Sequence, residues 1–433
     1  MYRSLKLSKL KYRRFLPQIG ILTPFNWPDT INQYVSSFSA IKTRRQASKR
    51  LSNLNVALSS PLWAIKEGCC CRDLSSAGPK QPVVLGIETS CDDTGAAVVN
   101  ADGEILGEDL NSQTDFHVQF GGIYPNKAGE LHSKHISSVV DNALSRAGFM
   151  LNDVDAIATT VMPGLAPCLG VGLDYTKQLL RISRKPFIPI HHMEAHALTA
   201  RMLTEISFPF LVLLVSGGNC LLALARDVDD FLLLGKSLDK APGDAYDKIA
   251  RRLNLKDLAA CEDMCGGRAV EVMALSGDPL AFPLHHVMSQ KISCDFSFSG
   301  LQTSFMELIQ REEKRHSGAL PEQITADICA SFQYNILHHL VKRVRRAFLF
   351  CEKAGLMPEN IVKTLVVSGG VASNQFLRNG MSIASGVHGY QMVCPPPHLC
   401  TDNGIMIAWN GVEKYKVGRG FVEDFESVIY EYK

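Results

Sequence analysis

Two histidines four positions apart are the feature of this sequence that most directly suggests chemistry. His192 and His196 fall on a predicted helix, where an i, i+4 spacing puts both imidazoles on one face, within reach of a single metal ion. Such pairs are more often ordinary surface or core histidines. This pair opens a helix directly after a predicted strand, where open α/β sheets place their ligands, and that position favours metal binding.

The glutamate between the histidines argues against a zinc protease. In the HExxH motif the glutamate directly follows the first histidine, whereas Glu194 follows His192 by two positions. A step of two residues turns a helix by about 200°. Glu194 is therefore expected to face away from the metal, and a protease mechanism would lack its general base.

Glycine turns after predicted strands indicate a phosphate or ribose site. Ser216-Gly217-Gly218 and Ser368-Gly369-Gly370 each end an apolar run, and glycines there let backbone N–H groups approach a ligand closely. One such turn is more often a plain connection, but two of them, with Asp92-Asp93 in an earlier turn, fit a nucleotide held between two lobes. GxxxxGK[ST] is absent and no GxGxxG opens a βαβ unit, so P-loop and Rossmann folds are disfavoured.

Acidic residues at two further places each allow a structural interpretation and a ligand-binding interpretation. Thr401-Asp402-Asn403-Gly404 has the composition of a helix N-cap, and an aspartate at a strand–helix junction can also reach into a cleft as an oxygen ligand. Asp244 and Asp247 lie three positions apart on one predicted helix face. They are either a solvated pair or groups that hold the hydroxyls of a ligand.

The elements that would position these residues follow the alternation of an α/β protein. From Val83 onward, apolar runs end in small or polar residues and give way to helix-like periods. Two strand–turn–strand units, one beginning near Val83 and one at Phe210, suggest duplicated halves that face one another. We expect a first lobe over residues 81–205 and a second over 206–433, with the last helix a candidate to pack back on the first lobe.

The first 80 residues differ in charge from the rest of the chain. They hold 14 basic and 3 acidic residues, which leaves 31 basic and 40 acidic residues from position 81 onward. A basic, acid-poor start is typical of a mitochondrial or plastid transit peptide, and a basic arm that stays attached and contacts nucleic acid is the alternative. No apolar run of about 18 residues predicts a membrane span, and the thirteen scattered cysteines fit a reducing compartment.

From about Val83 to the C-terminus, the chain resembles the tRNA N6-threonylcarbamoyladenosine transferases, a family formerly called O-sialoglycoprotein endopeptidases. The basic start points to an organellar, mitochondrial member. Seven motifs in the family's order carry the resemblance: LGIETSCDDTG (85–95), HHMEAH (191–196), LVSGGN (214–219), GDAYDKIAR (243–251), FSFSGLQT (296–303), VVSGGVASNQ (366–375) and TDNGIMIAW (401–409).

The resemblance implies an actin/Hsp70/sugar-kinase (ASKHA) fold, in which two lobes with duplicated mixed sheets hold the ligand between them. The implied reaction transfers the threonylcarbamoyl group of threonylcarbamoyl-AMP to N6 of the adenosine adjacent to the anticodon in tRNA, and AMP leaves. The implied partners are tRNA, a separate synthase that supplies the adenylate, and a second copy of the chain in a homodimer. No membrane is implied.

Matching the motifs residue by residue assigns roles to positions in this chain. One divalent cation, zinc, iron or magnesium, would be held by His192, His196 and Asp402. Asp92 is similar to an acidic turn residue near the reacting group, and the resemblance implies a role for Asp92 as a base. The positions that match contacts with the adenylate are Val215, Ser216, Gly217, Gly218, Asn219, Asp247, Gly267, Glu271, Ser373, Asn374 and Thr401.

Two features fit the family less well. The segment 123–135 has Asn126 and Gly129-Glu130 where the family has an acid and Ser-Arg, although His132 aligns. The acidic body also leaves the tRNA phosphates to local basic clusters. The candidate clusters are Lys177, Arg181, Arg184 and Lys185, or Lys342, Arg343, Arg345 and Arg346.

Fold alone does not fix chemistry, so two other functions are compatible with the expected architecture. One is a nucleotide-dependent kinase or ATPase. The other is a binding protein whose cleft only senses nucleotide. The histidine pair with Asp402 distinguishes the transferase from a kinase or ATPase, because phosphoryl transfer on this scaffold would not need these residues.

Overall fold

The computed structural model describes residues 81–119, 123–262, 264–284, 288 and 291–431. The expected transit peptide and linker over residues 1–80 lie outside the described residues. Within this part of the chain, ten strands form two sheets of five strands each. None of its helices combines the length and the apolar character that a membrane crossing requires.

The first sheet mixes parallel and antiparallel strands. Its order is β3-β2-β1-β4-β5, with β2 antiparallel to β1 and β3, and with β4 parallel to β1 and β5. The central strands are buried, as expected for a sheet covered on both faces. The strands are β1 (Val83–Glu88), β2 (Asp93–Asn100), β3 (Ile105–Ser112), β4 (Ala156–Met162) and β5 (Phe187–His191).

The second sheet repeats this arrangement. Its order is β10-β9-β6-β7-β8, with β7 antiparallel to β6 and β8, and with β9 parallel to β6 and β10. The two sheets share one strand order and one set of directions, which confirms the expected duplicated ASKHA fold. The strands are β6 (Phe210–Val215), β7 (Cys220–Asp227), β8 (Asp230–Lys236), β9 (Thr364–Ser368) and β10 (Gln391–Val393).

Eleven α-helices connect and cover the strands in the described part of the chain. Short 3-10 turns also occur, one of them over Gly370–Ser373. The helices are α1 (Thr114–Gln119), α2 (Pro125–Ala147), α3 (Ala166–Ser183), α4 (His192–Leu203), α5 (Pro242–Arg252), α6 (Gly266–Ala274), α7 (Ser299–Arg315), α8 (Glu322–Lys353), α9 (Gln375–Val387), α10 (Pro397–Cys400) and α11 (Gly404–Lys416).

Helix α11 packs closely against the first sheet, although it follows the last strand of the second. Two glycines permit this approach. A Cβ built on Gly86 of β1 would lie 2.2 Å from the backbone nitrogen of Ala408, and one built on Gly404 would lie 2.4 Å from the carbonyl carbon of Ala96. The position of the boundary between the two lobes, which the sequence predicts between residues 205 and 206, stays a prediction.

Two apolar cores lie on the two faces of the first sheet. One core packs the sheet against α2 and α3. The other joins the sheet to α4, α11 and the first strands of the second sheet, through residues such as Ile190, Leu198 and Trp409. This second core fixes α4 and α11 side by side, and these two helices position the candidate metal ligands.

Candidate metal centre and active site

The two histidines lie in the first turns of α4, which begins directly where β5 ends. Both side chains are buried, and their rings are perpendicular with centroids 4.7 Å apart. His192 Nε2 lies 3.3 Å and His196 Nε2 lies 3.0 Å from the same atom, Oδ1 of Asp402. One ligand atom from each of the three residues lies within 4.8 Å of the other two, so the three side chains form a group that could hold a metal ion.

Asp402 is available to this group because another residue caps α11. Asn403 is the N-cap, and its Oδ1 accepts a backbone N–H of the first turn at 2.8 Å. The capping interpretation therefore holds for Asn403, whereas Asp402 turns toward the histidines and Thr401, exposed, directly precedes it. Burial acts to raise the pKa of Asp402, but His192 and His196 hold that pKa well below its usual value.

A buried carboxylate lies behind His192. Glu88 ends β1 and is fully buried. Its Oε1 accepts the Ser90 N–H at 2.5 Å, and its Oε2 accepts the Thr160 hydroxyl and lies 3.1 Å from His192 Nδ1. The sequence interpretation missed Glu88 as a site residue, although a glutamate at the end of an otherwise apolar strand is a signal, because glutamates are rarely fully buried unless paired.

The β1–β2 turn carries Asp92 and is tied to α2. His132 of α2 is fully buried; its Nδ1 lies 2.7 Å from Thr94 Oγ1 and its Nε2 lies 3.0 Å from the carbonyl oxygen of Cys91. The divergent segment 123–135 thus still supplies the histidine that spans this turn. Burial raises the pKa of the neighbouring Asp93 to about 7.

The glycine turn between β6 and β7, residues 215–219, opens to solvent beside α5. Gly217 and Gly218 are exposed. The Ser216 carbonyl accepts a hydrogen bond from Gly243 N at 3.2 Å, and a Cβ built on Gly243 would lie 2.6 Å from Gly217 Cα. Close contact with the start of α5 therefore holds this turn in place.

Contacts among three helices position the other residues matched to the adenylate. Asp247 of α5 abuts the start of α6, since a Cβ built on Gly266 would lie 2.5 Å from Asp247 Oδ1. Glu271 of α6 accepts a hydrogen bond from Gln375 N at 2.8 Å. This bond joins α6 to the start of α9, immediately after Ser373-Asn374.

The two acids of α5 have different surroundings. Asp244 forms a partly exposed ion pair with Lys248, with Nζ to Oδ2 at 2.7 Å, in keeping with the solvated interpretation. Asp247 is the more exposed residue of the two, although its carboxyl group lies against the start of α6. Burial raises its pKa, while Arg251 and the backbone N–H of Gly267 oppose that rise. Asp247 therefore contacts the matched residue Gly267, whereas Asp244 is paired with Lys248.

Ion pairs and a hydrogen bond join α4 to α11. Lys414 Nζ lies 3.1 Å from Glu194 Oε2, with both side chains buried, and Arg201 Nε lies 2.9 Å from Glu413 Oε1. The Trp409 indole donates to a backbone carbonyl of α4 at 3.1 Å. Glu194 therefore faces α11 and not the His–Asp group, as the helical period predicts, and it cannot serve as the general base of an HExxH-type protease.

Several cations of the candidate tRNA-binding clusters bind the protein's own chain instead. Lys177 Nζ donates to the carbonyl oxygens of Glu426 and Val428 at 2.9 and 3.0 Å, and Arg181 pairs with the Glu426 carboxylate. Arg343 is fully buried and donates to three backbone carbonyls. The two clusters thus offer fewer charges to phosphates than the sequence suggests, because a sequence does not reveal contacts with distant carbonyl groups.

The duplicated sheets and the His-His-Asp group define a two-lobed ASKHA protein with a candidate metal centre, and comparison with known proteins identifies its family. The sequence profile of tRNA N6-adenosine threonylcarbamoyltransferase matches residues 104–409. The mitochondrial tRNA N6-adenosine threonylcarbamoyltransferase of Danio rerio is 50% identical over 364 residues, which are 84% of this chain and 90% of that protein. The Homo sapiens protein of the same name is 52% identical, covering 81% of this chain and 85% of that protein. A probable mitochondrial member from Arabidopsis thaliana is 43% identical, covering 78% and 70%.

The chain belongs to the tRNA N6-adenosine threonylcarbamoyltransferase family, as a mitochondrial member. It is therefore an acyltransferase of tRNA modification. The family assignment decides against the kinase or ATPase and against the nucleotide-sensing protein, the two alternatives that the fold left open.

Proposed function

We propose that this protein forms N6-threonylcarbamoyladenosine in tRNA with one metal ion at His192, His196 and Asp402 and with the adenylate in the adjoining cleft. Membership of the family supports the reaction. The residue assignment depends on one observation: ligand atoms from α4 and from a segment 206 residues further along the chain converge on one point.

The donor set suits zinc or iron better than magnesium. Imidazole nitrogens and a carboxylate oxygen are ordinary ligands of zinc and of iron, whereas magnesium prefers an octahedron of oxygens. Two Nε2 atoms at 3.0 and 3.3 Å from one carboxylate oxygen can share one ion in place of protons. An ion with only three protein ligands keeps open positions and would supply Lewis acidity toward substrate oxygens.

The glycine turn and the residues around α6 would hold the adenylate. Gly217 and Gly218 have open space where a Cβ would stand, so their backbone N–H groups can approach a phosphate. The carboxylate of Asp247 is an acceptor suited to ribose hydroxyls. Glu271 already binds Gln375 N, and it would support the pocket through that bond.

In the reaction, the N6 amine of adenosine attacks the carbamoyl carbon of the adenylate. An N–C bond forms, the C–O bond to AMP breaks, and the amine gives up one proton. We assign Asp92 as the acceptor of that proton. The support is its position: Gly95 of β2 lies three residues after Asp92, and a Cβ built on Gly95 would lie 2.7 Å from Gly404 N, two residues from Asp402.

The partners follow from this chemistry. tRNA supplies the acceptor adenosine and a separate synthase supplies threonylcarbamoyl-AMP, whereas the homodimer is proposed from the family resemblance. Since the body of the chain is acidic, tRNA binding should depend on a few local cations, and its affinity should fall with added salt in proportion to the number of phosphates that these cations contact.

Incubation with unmodified tRNA, threonine, bicarbonate, ATP and a threonylcarbamoyl-AMP synthase tests the proposal, with mass analysis of the tRNA nucleosides as the readout. We expect the modified adenosine with the wild-type protein and its loss with His196→Ala. No product from the wild type would contradict the reaction. Full product from His196→Ala would contradict the metal site alone.

A further inference from the structure

Glu88 is a buried carboxylate that the proposed reaction does not use. It stands at the end of a strand whose other residues are apolar, and it is 0% exposed. Burial of a carboxylate is costly unless hydrogen bonds compensate. Its partners should therefore explain its presence.

Three donors converge on this carboxylate. Ser90 N donates to Oε1 at 2.5 Å, and the Thr160 hydroxyl donates to Oε2. His192 Nδ1 lies 3.1 Å from Oε2, with Ser90 Oγ at 3.2 Å from the same nitrogen. An ionised carboxylate only accepts hydrogen bonds, so Nδ1 must be the protonated nitrogen that donates to it.

This hydrogen bond sets the orientation of the His192 ring. With Nδ1 held as the donor to Glu88, Nε2, the atom 3.3 Å from Asp402 Oδ1, is the nitrogen whose lone pair a metal ion would take in place of a proton. His196 differs. Its Nε2 also faces Asp402, at 3.0 Å, but its buried Nδ1 has no hydrogen-bond partner among the described residues.

We propose that Glu88 is the positioning residue of the metal centre, fixing His192 in the tautomer and orientation that present Nε2 to the ion. The inference rests on the metal site of the proposed function. Histidine ligands commonly donate their second N–H to a carboxylate, which fixes the ring and raises its basicity. Thr160 and the backbone of Ser90 hold Glu88 in turn, so His192 is the oriented ligand and His196 the adaptable one.

Glutamine cannot take over this role, although it has nearly the same shape. All three partners of Glu88 are donors, and an amide replaces one acceptor oxygen with an NH2 group. If the NH2 group faces His192, it forces the proton onto Nε2, which blocks the ligand atom. If the NH2 group faces Ser90, it meets the Ser90 backbone N–H, a second donor, and the side chain is displaced.

Binding of Co²⁺ alone tests the inference without any activity measurement. Titration of the full chain, followed by the visible ligand-field spectrum, should give a specific signal with the wild type. Glu88→Gln should bind Co²⁺ about 10- to 100-fold more weakly and with a changed spectrum. The matched control is Glu312→Gln on α7: Glu312 is also buried and bonded, to Arg315 at 2.9 Å, and this variant should bind as the wild type does.

A second variant keeps the test valid if Glu88→Gln does not fold, as judged by thermal melting without metal. Thr160→Val removes one donor to Glu88 with little change of shape, and it should weaken Co²⁺ binding less than Glu88→Gln. Wild-type affinity and spectrum in whichever of the two variants folds would overturn the role of Glu88. If the wild type binds no Co²⁺, or His192→Ala binds it normally, the metal site itself is wrong and this inference fails with it.

Discussion

The two halves of the candidate site are built in different ways. In the metal half, buried side chains from distant segments meet: Glu88 and His192 are 104 residues apart, and His196 and Asp402 are 206 apart. The proposed adenylate half is centred on a turn whose backbone is exposed at Gly217 and Gly218. Geometry in the metal half therefore depends on the packing of α4 against α11, whereas in the adenylate half it depends on the local course of the chain.

The largest expected effect comes from removing the carboxylate of the metal half. Asp402→Asn should abolish metal binding and lower transfer activity by more than about 100-fold, measured by metal analysis and by product formation. AMP binding, measured by calorimetry, should survive because the glycine turn is untouched. Asp141→Asn, an exposed change on α2, is the control. Loss of AMP binding in Asp402→Asn would show that the two halves are not separable.

A change at a residue that is in neither ligand set should damage the metal half through packing. Gly86→Ala would place a methyl group 2.2 Å from the backbone of Ala408, so α11 must move. We expect a loss of stability of about 1–3 kcal/mol and weaker metal binding, since α11 follows Asp402 directly. Gly386→Ala on α9 has open space and serves as the control. Equal melting temperatures for Gly86→Ala and wild type would refute the packing argument.

The contrast between local chain geometry and contacts across long stretches of sequence also explains what the sequence could predict. The i, i+4 histidines and the glycine turns are local patterns, and the duplicated sheets follow from two similar strand–turn–strand units. Glu88 was missed because its partners Thr160 and His192 lie 72 and 104 residues away. Asp402 stayed ambiguous between capping and ligation, and the ambiguity ends only when Asn403 is seen to cap α11.

The turn that carries Asp92 should loosen when its contact with α2 is shortened. His132→Asn can keep the bond to Thr94 but cannot reach the carbonyl of Cys91, so the turn should loosen. A displaced catalytic group of this kind lowers kcat by on the order of 10- to 100-fold, whereas the metal content should stay at the wild-type level. His135→Asn, on the same helix, is the control. A rise in KM with unchanged kcat would instead assign His132 to substrate binding.

The smallest effect should come from the adenylate half, where the backbone is exposed. Gly218→Ala meets no atom within 4 Å, so the free energy of unfolding should change by less than about 0.5 kcal/mol. The added methyl group would nevertheless stand where the phosphate approaches, and KM for the adenylate should rise several-fold with little change in kcat. Gly243→Ala is the informative partner, because its Cβ would lie 2.6 Å from Gly217 Cα and should both destabilise the protein and raise KM. If Gly218→Ala left KM unchanged, the phosphate would not lie at this turn, and the adenylate half would depend on side chains as the metal half does.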